Sequence, residues 1–289
     1  MTTPPRLAHD WHTPAQDPAV GYHSPMAPRP RIISRSPLKV KMAKLPPKKR
    51  AQHAPQTPLL VVSGSRGVPG LPEPRPSAVH RIFLLSPANA SGVRARLILR
   101  ENATFPLALR LRDGGLSLGE SFSFISGLYF RGKLAYARAF AQPPPHAQGA
   151  RGAMVITACG GLLPAETLVT REDLWKISSA SVSLSDARYR VPLERDACLL
   201  ADEIGPRSDV VLLGSVATPK YVDPLLKIFG ERLLFPAEFA GRGDMSRGGL
   251  MLRCVQSGAQ LNYVPVATAN RHGARPPKLA PLNKVSRPA

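Results

Sequence analysis

The residues best placed to do chemistry follow short apolar runs of strand length. Such runs cover 81–86, 154–158 and 209–213, and polar or glycine residues come directly after each of them. In open parallel α/β sheets, ligands bind beyond the carboxyl ends of the strands. Candidate site residues are therefore expected in the four segments that follow predicted strands: 86–92, 159–167, 214–221 and 237–249.

The last of these segments contains Gly-Arg-Gly-Asp-Met-Ser-Arg-Gly-Gly over 241–249, which is predicted to be a glycine-rich loop. Its glycines would let the backbone approach a ligand, and Asp244 or Ser246 could cap a following helix. Free N–H groups at that helix start, beside two arginines, would suit a phosphate or a carboxylate. A plain surface turn with solvated arginines is the alternative, because neither phosphate-loop motif is matched. The predicted ligand residues here are Arg242, Gly243, Ser246 and Arg247.

Polar residues also follow the first and third strands and stand at the head of the helix predicted over 128–141. On that helix Tyr129 and Lys133 accompany Arg131, and Lys133 is predicted to lie off the buried apolar face. The residues of these groups that are expected to contact an anionic ligand are Ser86, Asn89, Arg131 and Lys220.

Three residues are candidates for catalysis, each with a plainer alternative. Cys159 follows a predicted strand and precedes two glycines, where a nucleophile could be displayed beside backbone N–H groups. Glu238 and Asp244 flank the glycine-rich loop and could act as acid and base or bind a cation. The alternatives are that Cys159 is a small buried apolar residue and that Asp244 caps a helix.

Histidine is scarce, which argues against several common mechanisms. Of the 7 histidines, only His80 and His146 lie within the predicted domain. A Ser-His-Asp triad therefore lacks a good base, and the Gly-x-Ser-x-Gly motif is missing. No Cys and His have the spacing of zinc ligands. The sequence thus predicts no metal site and indicates no particular cofactor.

Apolar runs alternate with helical patterns along 79–266, the predicted domain. Helices are predicted over 91–100 with Ser91 as N-cap, 128–141, 170–176 with a capping box at Thr170, 193–204 and 219–229. Further strands are expected over 232–235 and 261–266. Strands that are apolar throughout indicate burial on both faces. The predicted fold is therefore α/β, with three layers and a mostly parallel sheet covered by helices on both faces.

The formal net charge of +20 belongs mainly to the two ends of the chain. Residues 1–78 hold 16 of the 32 prolines and 12 Lys or Arg against 3 acidic residues. Residues 267–289 hold 5 basic residues and no acidic one. Such segments bury too little apolar surface to offset their chain entropy, so both are predicted to be disordered basic tails. Their charge could attract nucleic acid through counterion release.

Localisation and translation start are also open to interpretation from the sequence. No apolar stretch approaches the roughly 20 residues of a spanning helix, and the first 30 residues lack a secretory signal. The 3 widely spaced cysteines suit a reducing compartment, so the chain is predicted to be cytoplasmic. Met42 opens Met-Ala-Lys-Leu-Pro-Pro-Lys-Lys-Arg, an ordinary-looking start. Translation from Met42 or Met26 is thus an alternative to translation from Met1.

Three stretches carry a resemblance: Ser-Gly-Leu-Tyr-Phe-Arg-Gly-Lys-Leu-Ala-Tyr-Ala at 126–137, Ile-Thr-Ala-Cys-Gly-Gly-Leu-Leu-Pro at 156–164 and Val-Val-Leu-Leu-Gly-Ser at 210–215. They resemble a family of uncharacterised bacterial proteins, small α/β domains whose segments over 81–255 would correspond. Where related segments carry proline and lysine, this chain has Gly127 and Cys159. The resemblance implies a three-layer α/β fold and no settled activity, so it assigns no catalytic residue.

Three functions remain open at this point. The first is an enzyme or enzyme-like domain that binds a phosphate-bearing ligand, a nucleotide or nucleic acid, at the loop ends. The second is a non-catalytic nucleic-acid-binding protein whose basic tails supply the affinity. The third is a structural or partner-binding module without a ligand.

Overall fold

Short apolar strands form the centre of the structure, a computed structural model that describes residues 80–149 and 151–279. Four of the strands run parallel and two antiparallel strands close the edges, in the order β4-β3-β1-β6-β7-β8. The remaining two, β2 and β5, pair antiparallel in a small separate sheet. The strands are β1 (His80–Leu85), β2 (Leu116–Ser117), β3 (Ala153–Ile156), β4 (Leu162–Pro164), β5 (Leu168–Val169), β6 (Ser208–Leu213), β7 (Leu233–Pro236) and β8 (Tyr263–Pro265).

Two pairs of helices pack on this sheet. From β1 the chain moves toward one edge of the sheet to form β3. It then passes back over β1 and moves toward the other edge to form β6 and β7. Because parallel crossovers are right-handed, helices of oppositely directed crossovers cover opposite faces of the sheet. Accordingly α4 packs against α8, and α6 against α7. The helices are α1 (Val93–Leu99), α2 (Pro106–Asp113), α3 (Leu118–Ser126), α4 (Leu128–Phe140), α5 (Arg171–Ser179), α6 (Ala187–Ile204), α7 (Pro219–Phe229) and α8 (Asp244–Ser257).

The predicted α/β fold with a mostly parallel sheet and helices on both faces is confirmed. The last four residues of β1 and of β6 are fully buried, as expected for strands with no solvated face. In register, Leu85 pairs with Leu213 of β6 and with Val155 of β3, so all three strands end at the same edge. The chain reverses its direction of travel between β1 and β6, the topological switch point at which such sheets bind ligands.

Several element boundaries differ from the prediction for local reasons. Helix α1 begins after Gly92 and not after Ser91, whose N–H and hydroxyl both donate to Asn89 Oδ1. Helix α6 begins at Ala187, earlier than the predicted 193–204, because Asp186 caps it by accepting from the Arg188 N–H. The capping box at Thr170 is confirmed, with Thr170 and Asp173 bonded to each other's backbone N–H.

The largest correction concerns the predicted glycine-rich loop over 241–249. From Asp244 onward this segment is helical and forms the first turns of α8, so only 241–243 belong to a loop. Gly241 has a φ of +68°, and a Cβ there would collide with the carbonyl of Ala274. The absence of a side chain at Gly241 therefore lets the segment around Ala274 pack against this loop.

The predicted N-terminal tail, 1–78, lies outside the described residues, and so do the alternative start residues Met26 and Met42. Residues 280–289 of the predicted C-terminal tail also lie outside them. Residues 270–279 are described and form neither helix nor strand. Within the described part of the chain, no helix is both long and apolar enough to cross a membrane.

Candidate functional site

A polar cleft of about 550 Å³ opens at the carboxyl ends of β1, β3 and β6. The loop after β1 forms one wall, and Ser215 after β6 and the end of α5 contribute to the others. The cleft thus lies at the switch point between β1 and β6, where the topology alone would place a ligand. Six of its lining residues are serines: Ser86, Ser91, Ser126, Ser178, Ser181 and Ser215.

Three helices begin at this cleft without a side-chain cap. Tyr129 is the second residue of α4, Lys220 the second of α7 and Asp244 the first of α8, and all three line the cleft. Helices α1 and α2 also lack a side-chain cap, whereas α3, α5 and α6 are capped by the side chains of Ser117, Thr170 and Asp186. The positive ends of three helix dipoles and their first-turn N–H groups therefore meet at one place, an arrangement that favours an anion.

The Tyr129 side chain has an unused hydrogen-bonding group. Its hydroxyl is buried and has no hydrogen-bond partner in the structure, while the residue as a whole is 8 % exposed. Burial raises the pKa of Tyr129 to about 12, and the Arg247 guanidinium, which approaches the hydroxyl without reaching the geometry of a hydrogen bond, opposes this shift. A buried hydroxyl without a hydrogen-bond partner lowers the stability of the fold. Such a group is therefore normally paired with another protein group or is available to a bound ligand.

Lys133 lies directly behind the cleft wall. Its side chain is 1 % exposed, and its Nζ donates to the carbonyl oxygen of Ser86 at 2.5 Å and to Ser86 Oγ at 2.9 Å. The ammonium also faces the rings of Tyr129 and Phe130, with Nζ 4.5 Å and 4.9 Å from the two centroids. Burial lowers the pKa of Lys133 to about 7, with Asp244 opposing and Arg247 reinforcing that shift. The prediction that Lys133 lies off the buried face is therefore wrong.

Lys220 is held at the cleft by its backbone. Tyr189 Oη on α6 donates to the carbonyl oxygen of Lys220 at 2.8 Å, which ties the first turn of α7 to its neighbour. The Lys220 ammonium lies 5.0 Å from the centroid of the Tyr221 ring. Within the described part of the chain, no carboxylate lies within ion-pair distance of it. This cation thus has its charge available to a ligand.

The predicted arginine contacts are used inside the protein instead. Arg247 donates to the carbonyl oxygen of Phe239 through Nε and Nη2, and its Nη1 lies 3.4 Å from Asp244 Oδ1. Arg242 donates to the carbonyl of Glu238 and to Ser246 Oγ. Neither arginine lines the cleft. Together they fasten the turn before α8 to its first helical turns.

A close helix contact explains one glycine of the predicted loop. Helices α4 and α8 cross with their backbones in contact, where a Cβ on Gly248 would lie 2.8 Å from the Leu128 carbonyl oxygen. A Cβ on Gly132 would lie 2.7 Å from the carbonyl oxygen of Gly248. This glycine pair brings Asp244 and Arg247 near Tyr129 and Lys133, so Gly248 shapes the site through packing.

The other predicted residues are dispersed around the domain. Gly243 precedes α8, and a Cβ added to it would have no heavy atom within 4 Å among the described residues. Arg131 is exposed on α4 and lies outside the cleft. Glu238 accepts from the backbone and side chain of Asn262, again away from the cleft. Cys159 is half-buried beyond the cleft residue Ala158, and burial raises the pKa of its thiol. Catalytic roles for Cys159, Glu238 and Asp244 stay predictions.

Of the predicted residues, the cleft therefore brings together Ser86, Asn89, Lys220 and Asp244. Sequence reasoning grouped Tyr129 and Lys133 with Arg131 as a basic and aromatic group at the head of a helix, but it listed only Arg131 as a ligand contact. Their spacing of four places Tyr129 and Lys133 on one helix face. Within residues 80–149 and 151–279, no group of three His, Cys, Asp or Glu side chains could hold a metal ion.

Comparison with known proteins gives no relative to set beside this geometry. No protein-family model, curated protein or solved structure matches the chain. The resemblance to uncharacterised bacterial α/β proteins stays a prediction, and so does nucleic-acid binding by the tails. What the fold and site define is an open α/β sheet with a polar cleft at its switch point.

Proposed function

We propose that this is an enzyme-like domain that binds a phosphate-bearing ligand, such as a nucleotide, in the polar cleft. The observation that carries the proposal is Tyr129, a residue that lines the cleft and whose buried hydroxyl has no hydrogen-bond partner among the described residues. A phosphate oxygen bound there would accept the hydrogen bond that the protein leaves unmade.

The electrostatics of the cleft support an anionic ligand. Three uncapped helix starts and the Lys220 ammonium contribute positive potential. The one carboxylate in the lining, Asp244, lies 3.4 Å from the Arg247 guanidinium, which offsets its charge. The net field in the cleft thus attracts a phosphate, while Asp244 remains able to accept hydrogen bonds from ligand hydroxyls.

The size of the cleft favours a small molecule. Its volume of about 550 Å³ lies inside the roughly 300–1,000 Å³ range of small-molecule sites. The serine hydroxyls and the Asn89 amide suit a ligand with several hydrogen-bonding groups besides its phosphate. A nucleotide combines these properties.

The test is thermal unfolding of the full-length chain with inorganic phosphate, pyrophosphate and a panel of nucleotides. We expect at least one of them to stabilise the protein, by about 2.7 kcal/mol at a concentration one hundred times Kd. Lys220→Met should weaken binding about tenfold. Lys227→Met is the matched control, because Lys227 is an exposed lysine two turns along the same helix and lies outside the cleft.

Two outcomes would contradict the proposal. One is a lack of stabilisation by every compound at millimolar concentration. The other is stabilisation that Lys220→Met and Lys227→Met reduce equally, since that result would indicate a diffuse surface effect of net charge.

A further inference from the structure

Ser86 and Lys133 form an isolated amine–hydroxyl pair at the wall of the cleft. Ser86 Oγ and Lys133 Nζ are 2.9 Å apart, and the two residues are 5 % and 1 % exposed. Ser86 lines the cleft, whereas Lys133 lies behind it. A hydroxyl at the ligand site is thus backed by a primary amine that is sealed from water.

The amine of Lys133 has no counterion. Within the described part of the chain, no carboxylate lies within 4 Å of it, and its only polar partners are the two oxygens of Ser86. The rings of Tyr129 and Phe130 face it on α4, and Asp244 and Arg247 of α8 act on it with opposite charges. A buried lysine without a carboxylate favours its neutral form, in which the nitrogen lone pair can accept a proton.

The other cleft serines lack such a partner. Ser91 Oγ donates to the Asn89 side chain, and Ser178 Oγ donates to the carbonyl of Trp175. Among the described residues, Ser86 is the only serine of the cleft that is hydrogen-bonded to an amine. A nucleophilic hydroxyl needs an adjacent base to activate it, and Ser86 has one.

We propose that Ser86 is a nucleophile and Lys133 its general base, so that the cleft hydrolyses or transfers an acyl group held as an ester or thioester. The assignment rests on the proposed function in one respect, since the alcohol or thiol part of the substrate would carry the phosphate. Serine–lysine pairs are a known variant of the catalytic triad, in which one amine replaces the histidine and its orienting carboxylate.

Each step is balanced within this pair and the substrate. Neutral Lys133 Nζ removes the proton from Ser86 Oγ as Oγ bonds to the carbonyl carbon, and the carbonyl π electrons move to oxygen. Collapse of the tetrahedral intermediate breaks the bond to the leaving oxygen or sulfur, which takes the proton from Lys133. Water then attacks the acyl-Ser86 ester, giving its proton to Nζ, and the second collapse returns that proton to Ser86 Oγ as the carboxylic acid leaves.

The experiment uses a fluorophosphonate, a reagent that bonds to activated serines with loss of fluoride, on the full-length protein. Mass spectrometry of the digested protein should locate the adduct on Ser86. The labelling rate should fall at least about 100-fold in Lys133→Met, the smaller end of the usual contribution of a general base. Lys227→Met should label at the wild-type rate. Circular dichroism should show that each variant is folded.

A pH profile of the wild type is the second readout, and it does not depend on a variant at a buried position. Because only the neutral amine can accept the proton, the labelling rate should rise through about pH 7, the pKa of Lys133. With p-nitrophenyl butyrate, the wild type should release one equivalent of p-nitrophenolate in a burst and retain a butyryl group on Ser86.

Ser86 that labels no faster than Ser257 at the end of α8 would overturn the assignment, as would a rate that is flat with pH. An absent butyryl adduct would overturn acyl transfer. These failures are separate from failure of the proposed function. Nucleotide stabilisation without labelling of Ser86 contradicts only the nucleophile, and labelling without nucleotide stabilisation contradicts only the phosphate-bearing ligand.

Discussion

Helix α4 carries two buried tyrosines, Tyr129 in its first turn and Tyr136 two turns later, and their hydroxyl groups differ in hydrogen bonding. Tyr136 Oη lies 2.6 Å from Tyr263 Oη and accepts from the Leu261 N–H at 2.8 Å. Tyr129, two turns earlier, is also buried, yet its hydroxyl has no partner. A satisfied hydroxyl stabilises the fold, whereas an unsatisfied one at a cleft is available to a ligand. The comparison separates the structural end of α4 from the end that faces the site.

The strongest way to disturb the site-facing end is to push α4 and α8 apart. A Cβ at Gly248 would lie 2.8 Å from the Leu128 carbonyl oxygen and 2.9 Å from Tyr129 Cα, both backbone atoms that cannot move freely. We expect Gly248→Ala to lower the free energy of unfolding by about 1–3 kcal/mol in urea denaturation and to abolish ligand binding.

The next residue provides the control. At Gly249 the nearest atom to a Cβ would be Leu279 Cδ1, at an ordinary 3.6 Å. Gly249→Ala should therefore be neutral or stabilise α8 by up to about 1 kcal/mol, because alanine favours a helix interior. Equal destabilisation by both substitutions would refute the assigned role of Gly248.

Removing each tyrosine hydroxyl tests the comparison itself. Tyr136→Phe leaves the Leu261 N–H and the Tyr263 hydroxyl without their partner, at an expected cost of about 1–3 kcal/mol of unfolding free energy. Tyr129→Phe removes a hydroxyl that has no partner, so stability should be unchanged or slightly higher.

Ligand binding should respond in the opposite sense. Tyr129→Phe should weaken nucleotide or phosphate affinity several-fold, because it removes a hydrogen-bond donor from the cleft. Tyr136→Phe should leave that affinity unchanged, as measured by calorimetry. If the stability cost falls instead on Tyr129→Phe, its hydroxyl has a structural partner and the comparison fails.

The last test concerns Lys133, which lies between the two tyrosines in the sequence of α4. Burial lowers its pKa from 10.5 to about 7, so between those values the unfolded chain binds more protons than the folded one. Stability therefore rises with pH from about 7 to 10.5, and it falls progressively as pH drops from 10.5 to about 7, below which Lys133 is charged in both states. The slope of this dependence should reach at most about 1.4 kcal/mol per pH unit.

Lys133→Met keeps the apolar stem and removes the titrating amine. The unfolding free energy of the variant minus that of the wild type should be largest near pH 7 and should shrink toward pH 10. Urea denaturation at several pH values measures this difference. A difference that is constant across the window would show that Lys133 keeps an ordinary pKa in the folded state.

Local sequence patterns predict some of these elements well and others poorly. Strands β1 and β6 and helix α7 are predicted well because their signals lie within the segments themselves. The strands are continuous apolar runs, and Pro and Gly mark the ends of the helix. Lys133 is mispredicted because a lysine in an amphipathic pattern ordinarily belongs to the solvated face. Its buried ammonium is hydrogen-bonded to Ser86, a partner 47 positions away that no local pattern indicates.

Packing partners are the information that local patterns lack. The segment after Asp244 has the composition of a loop, yet it is helical, and position 248 is a glycine because α4 approaches the backbone closely there. The arginines of that segment are predicted to bind a phosphate, but in the structure they donate to the carbonyl oxygens of Phe239 and Glu238. Ser86, Asn89, Lys220 and Asp244 were found because strand ends of a parallel sheet share one edge.

Hydrogen–deuterium exchange on the full-length protein tests the central claim most directly. On saturation with the nucleotide or phosphate that stabilises the protein most, the first turns of α4, α7 and α8, over 128–131, 219–222 and 244–247, should become protected together. The region around Tyr136 should exchange as before. Protection confined to the ends of the chain, or no protection at these three turns, would contradict a phosphate site at the cleft.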